Sequence, residues 1–120
     1  MRWLICTLMV LMGTTSVHAN ANPADADPVE VYEQAMNYLH GRNGFTEDSA
    51  KAVKYFRELA DQDWSIAQNR MGEFYENGIG VNRDLDQAIV WYKLAADQGH
   101  PIAKAHADRL QKQQSLTAAR

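Results

Sequence analysis

The stretch MGEFYENGIGVNRDLDQAIVWYKLAADQGH, Met71 to His100, decides how this chain folds. Glycines stand at positions 72, 78, 80 and 99, with aromatic and small residues at fixed steps between them. A phosphate-binding loop would need a strand before the first glycine and a Lys-Ser/Thr pair after the last. Neither is there. A helical hairpin explains the same residues. Gly72, on the inward face of one helix, lets the partner helix approach closely. Gly78 and Gly80 form the exit turn, where positive φ is cheap for glycine, and Gly99 ends the next helix. Tyr75, Trp91 and Tyr92 fill the space between the paired helices.

The hairpin is repeated. AVKYFRELADQDWSIAQ (Ala52 to Gln68) aligns without a gap on AIVWYKLAADQGHPIAK (Ala88 to Lys104) at an offset of 36. Ala52 meets Ala88, Phe56 meets Tyr92, and Ile66-Ala67 meets Ile102-Ala103. Gly44 and Asp48 meet Gly80 and Asp84 at the same offset. A constant period of this length, built of two helices, is the signature of an α-solenoid.

Helix signals fill the rest. Asp27 caps a first helix with Pro28 at its first position and Glu30 in the first turn. Val31, Ala35, Tyr38 and Leu39 give it one apolar stripe, and Gly41 and Gly44 end it. Thr46-Glu47-Asp48 opens a second helix carrying Ala52, Val53, Phe56, Leu59 and Ala60. A third runs from about Ile66 to Glu76, and Asp84 caps a fourth. Pro101 starts a fifth, carrying Ile102, Ala103 and Leu110. No long segment alternates with period two. The fold class is all-α: a solenoid of antiparallel helix pairs, two repeats and a C-terminal capping helix. The domain spans 28–112, and the polar tail 113–120 is expected to fray.

Arg2, the short apolar run Trp3 to Met12 and the small residues of VHANA read as a secretory signal peptide over 1–21, cleaved after Ala19 or Ala21. The run is about half the roughly 20 residues a membrane span needs. Residues 22–27 form a leader. The lone Cys6 lies in the apolar run, so the processed chain has no cysteine for a disulfide, thiolate metal site or nucleophile. The formal charge of −3, one lower without Arg2, argues against nucleic acid, which rewards clustered Lys and Arg.

The residues Ala67, Met71-Gly72, Tyr75, Gly78-Ile79-Gly80-Val81, Asp84, Ala88, Trp91-Tyr92, Ala95-Ala96 and Gly99-His100 closely resemble a Sel1-like repeat. Met71 in place of Leu is the one departure. Glu30 to Gln68 resembles a degenerate copy, with Asp63-Trp64 replacing Gly-His. Gly41 falls one residue out of register with Gly78, which indicates an insertion in that turn. Ile102 onward resembles the start of a third copy acting as a cap. The resemblance implies a non-enzymatic binding scaffold that takes a protein partner on its concave face, lined by the first helix of each pair.

On the third helix the inward positions are Met71, Gly72 and Tyr75, and the opposite polar positions are Asn69, Glu73 and Glu76. Stepping back 36 gives Glu33, Asn37 and His40; stepping forward 36 gives Ala105, Arg109 and Lys112. The expected groove therefore runs from acidic to basic. Trp64, in a turn, either anchors an interface or packs as a hydrophobic staple on the third helix.

For chemistry the sequence offers little. His100 and His106 are six apart and no histidine pair has the four-residue spacing of a helical zinc site. Asp61 and Asp63 lie in a polar turn, not in a pocket that would separate their pKa values. No triad, oxyanion device or cofactor motif is visible, so catalytic, metal and cofactor assignments are all none. The leading expectation is an exported bacterial envelope module, periplasmic or secreted, monomeric or a weak homodimer, binding a protein partner such as a toxin or an envelope-complex subunit; a structural subunit of an envelope complex is a separate alternative. The resemblance also admits an immunity protein that neutralises a secreted toxin, and more distantly a small hydrolase. The hydrolase-like relatives are disulfide-rich, which this chain is not.

Overall fold

The computed structural model describes residues 26–120; the signal-peptide reading and most of the leader lie outside them. Five helices follow one another: α1 (Pro28–His40), α2 (Ser49–Asp61), α3 (Ser65–Asn77), α4 (Leu85–Asp97) and α5 (Pro101–Ala118). The main packing is between sequence neighbours, α1 on α2, α2 on α3, α3 on α4 and α4 on α5. This is the all-α solenoid expected from the repeat, with no strand among the described residues.

The helix starts are those that capping chemistry dictates. Asp27, Asp48 and Asp84 each place a carboxylate oxygen on backbone N–H groups of the first turn, at 2.8–3.1 Å. His100 caps α5 by accepting from the Ala103 N–H at 3.2 Å. Trp64 holds the same place before α3 but makes no side-chain cap bond. Instead it is partly buried against the core, its ring 6.4 Å from that of Tyr32 on α1. Trp64 thus packs into the core toward α1, where the sequence offers either an interface anchor or a staple on the third helix.

The core is continuous in two parts. Val31, Ala35, Val53, Phe56, Leu59, Met71 and Phe74 unite α1, α2 and α3, and Trp91 reaches into them from α4. Ala88, Ile89, Tyr92 and Ala95 of α4 meet Ala103, Ala107 and Leu110 of α5. Tyr75 packs against both sets, so the repeats share one hydrophobic interior. Truncating a fully buried Leu or Phe such as Leu59 or Phe56 to Ala costs about 2–5 kcal/mol. Gln68, 2% exposed, adds a polar tie: its amide donates to the Ala60 carbonyl at 3.1 Å and accepts from Gln98 at 2.6 Å.

Gly72 lies where its role requires. A Cβ built there would stand 2.6 Å from the ring of Tyr92, closer than real atoms approach. The exit turn is held as tightly at Gly80, which has φ +69° and whose added Cβ would meet the Ser49 carbonyl oxygen at 2.5 Å. This turn of the second repeat rests on the first turn of α2. Gly80→Ala is therefore expected to lower stability by about 1–3 kcal/mol in urea denaturation, combining left-handed strain with a backbone clash.

The structure locates the insertion expected in the first turn and revises the C-terminal end. The Asp48 N–H donates to Tyr38 O and the Asp84 N–H to Tyr75 O, each at 2.8 Å, so Tyr38 matches Tyr75 at an offset of 37. The inserted residue lies in the first turn, Gly41–Asp48, which is one longer than Gly78–Asp84. On α5, Ala103 and Leu110 are buried and Ile102 is 58% exposed. Residues 113–118, expected to fray, continue α5 as helix. Nothing between Gln111 and Ala118 breaks a helix, and Ser115 and Thr117 satisfy their hydroxyls on carbonyls one turn back, at 2.9 Å.

Candidate binding groove

The odd-numbered helices share one side of the stack. Leu39 and His40 of α1, Glu73, Phe74 and Glu76 of α3, and His106 and Arg109 of α5 line an open groove of about 530 Å³. Tyr92 of α4 and the turn residues Glu47 and Ile79 close its sides.

At its centre one carboxylate ties three helices together. Glu76 accepts from the Tyr92 hydroxyl at 2.8 Å and from Arg109 Nη2 at 2.7 Å. The same Arg109 nitrogen is 3.0 Å from His106 Nδ1, and the His106 ring stacks on Tyr92 with centroids 4.8 Å apart. Burial opposes ionisation of Glu76, but the Tyr92 hydrogen bond and then the bond and charge of Arg109 outweigh it. The net result is a pKa below the ordinary carboxylate range. Burial, then the bond to the Glu76 carboxylate, pushes the Tyr92 hydroxyl well above the usual phenol range. Beside it, Glu73 pairs with Arg70 at 2.8 Å and accepts from Asn69 at 3.2 Å.

The linkage has two limbs. Glu76 is depressed, so its contribution is complete above its unfolded value of about 4.3 and is lost as pH falls through the folded value. Tyr92 is raised, so its contribution is complete below about 10 and is lost as pH rises above that. Tyr92→Phe should cost about 1–3 kcal/mol at neutral pH, the worth of a hydrogen bond to a charged group. That cost should shrink in acid as Glu76 protonates, and the alkaline loss should be smaller in the variant. Urea titrations at acidic, neutral and alkaline pH check both limbs.

The sequence-derived site residues divide. Glu73, Glu76, Arg109 and His40 do line the groove. Asn69 does not stand on an open polar face: it is 7% exposed, tucked beside Glu73. Glu33 is exposed and Asn37 accepts from Asn43 at 2.9 Å, neither lining this groove. The physical reason is the longer first turn. At an offset of 37 the α1 counterparts of Asn69, Glu73 and Glu76 are Tyr32, Met36 and Leu39, all partly buried and apolar. Lys112 belongs to a neighbouring surface of α5 with Arg109, Leu116 and Arg120. Sequence reasoning missed Tyr92 and His106 as groove residues, and Phe74, which is 2% exposed. The tyrosine is interior, as expected, but its hydroxyl reaches Glu76 at the groove wall.

The Sel1 repeat pattern matches residues 32–64 and 65–100, more than half the chain. The chain belongs to the Sel1 repeat family. A Sel1 repeat protein from Oxalobacter formigenes is similar with a TM-score of 0.65 at 33% identity, over 70% of this chain and 24% of that one. A protective antigen of uropathogenic Escherichia coli strains, which displays the SLR fold, gives a TM-score of 0.61 at 38% identity, over 64% and 16%. DAP3-binding cell death enhancer 1 of Rattus norvegicus is 43% identical over 56 residues, 47% of this Sel1 repeat chain and 11% of that protein. The chitin synthase regulator SKT5 of Malassezia restricta is 35% identical over 74 residues, 61% of this chain and 5% of that one. The chain thus spans about a tenth or less of these two relatives, and under a quarter of either solved structure.

Among the described residues, no helix is long and apolar enough to cross a membrane, and no three His, Cys, Asp or Glu side chains cluster as metal ligands.

Proposed function

We infer that this Sel1 repeat protein is a non-enzymatic interaction module that binds a protein partner in the groove formed by α1, α3 and α5. The observation that carries this reading is the continuity of that groove across both repeats and the cap, with a pre-formed polar network at its centre. Preorganised side chains lose little entropy when a partner docks. The names of two relatives, a DAP3-binding protein and a regulator of chitin synthase, describe binding and regulatory roles for those proteins. The signal-like pattern of residues 1–21 supports export to the bacterial periplasm or medium. An envelope-complex subunit or a secreted toxin would be met there.

The test begins with affinity capture from the native host, followed by direct titration of the purified captured protein. Introducing His40→Trp with Asn77→Trp fills the groove from two exposed positions. Binding at least about tenfold weaker, a change of about 1.4 kcal/mol, is the expected result. The control Lys54→Trp, on exposed α2 surface outside the groove, should leave affinity unchanged. If filling the groove has no effect, the partner binds elsewhere and this reading fails.

A further inference from the structure

The groove has chemical direction. At its α1 end the groove is lined by Leu39 and His40, with Ile79 across from them, and Glu47 is the nearby groove acid that forms no ion pair among the described residues. In the middle, both glutamates of α3 are matched: Glu73 by Arg70 at 2.8 Å and Glu76 by Arg109 at 2.7 Å. Beyond them the exposed face of α5 carries Lys112 and Arg120 beside Leu116, which is 62% exposed, and that face has no acidic residue. Asp108 is turned to Lys104 at 2.8 Å and Asp86 accepts from Gln114 at 2.7 Å, and among the described residues neither forms an ion pair with the two cations.

We propose that the groove, together with the α5 surface that adjoins it at Arg109, recognises a segment of a partner protein that is apolar at one end and acidic at the other, with the acidic end over Lys112 and Arg120 on α5. This rests on the groove reading above and adds the chemistry and orientation of the occupant. Charge complementarity fixes the direction. Acidic side chains gain from the α5 cations and are repelled by Glu47, while apolar side chains cover Leu39 and Ile79 in the groove. Because the α3 acids are already neutralised, the central network offers little to a basic segment.

Selection of a random peptide display library on the folded full chain, before and after Lys112→Glu with Arg120→Glu, tests this. Both positions are exposed, so the fold should survive, which circular dichroism verifies. The expected result is enrichment of peptides with Asp or Glu gathered at one end and aliphatic or aromatic residues at the other. Carbodiimide coupling should join the acidic end to the Lys112 amine. The charge-reversed chain should bind these peptides about tenfold or more weakly and select basic ends instead. Enriched peptides blocked by His40→Trp with Asn77→Trp but lacking acids, or indifferent to charge reversal, would overturn the orientation while leaving the groove reading intact. Peptides indifferent to both sets of substitutions, or no enrichment at all, would overturn both. Retention on phosphatidylglycerol vesicles through Lys112 and Arg120, without peptide enrichment, would assign the basic face to a membrane surface and also overturn the proposal.

Discussion

Gly72→Val is expected to leave the second repeat unable to close, lowering stability by about 3 kcal/mol or more in chemical denaturation. The ring of Tyr92 is fully buried and held at both ends of its reach. Its hydroxyl is fixed on Glu76 and its face is stacked on His106. A Cβ at position 72 would sit 2.6 Å from the ring carbons, so a single methyl already demands movement of a tethered aromatic. Overpacking of this kind costs about 1–3 kcal/mol, and two further methyl groups add to it. Gly72→Ala should be milder, because Ala recovers about 1 kcal/mol of helix propensity over Gly. The decisive comparison is the same change beside Tyr92→Ala. With the ring gone, the clash goes too, and Gly72→Ala should turn from destabilising to stabilising. An unchanged sign would show that the ring is not what excludes the side chain.

Ending the chain before Pro101 should have an effect as large. Ala103, Ala107 and Leu110 cover Ala88, Ile89, Tyr92 and Ala95, and without α5 that surface of α4 lies open to water. Leu110 alone, 1% exposed, is worth about 2–5 kcal/mol as a truncation to Ala. The shortened chain also loses the Arg109 bond to Glu76 and the His106 stack on Tyr92. Small domains hold only about 5–15 kcal/mol in total. Loss of much of the helical circular dichroism and of a cooperative melt is therefore expected. Ending the chain after Lys112 should be far gentler, since the removed residues contribute little beyond the Gln114 bond to Asp86. A chain without α5 that melted like the full chain would refute its role as a cap.

The fold was largely legible because its determinants are local. Asp27, Asp48 and Asp84 mark helix starts by their own side chains, and Gly72 and Gly80 mark close approaches by lacking one. The correspondence of Phe56 with Tyr92 at a fixed offset reveals the repeat without any knowledge of its contacts. The groove was only partly legible. One inserted residue between Gly41 and Asp48 rotates the alignment of α1, replacing Glu33, Asn37 and His40 by Tyr32, Met36 and Leu39 at the equivalent positions. The misfit of Gly41 with Gly78 shows the insertion, but not on which side of the turn the register changes. Asn69 has the chemistry of a surface residue and the position of an interior one. Glu76, Tyr92 and Arg109 belong to three helices, and only their packing brings their long side chains to one point. The end of α5 was misplaced because polarity was read as fraying, although Gln, Lys, Leu and Ala are good helix formers.

The most direct measurement is the proton resonance of Gly72 in the folded chain. Its α-protons should lie against the face or edge of the Tyr92 ring. They should show a strong ring-current displacement and nuclear Overhauser contacts to the ring protons, both lost in Tyr92→Ala. A Gly72 resonance at its random-coil position, with no contact to Tyr92, would contradict the close approach of α3 and α4 on which the second repeat, its cap and the groove all depend.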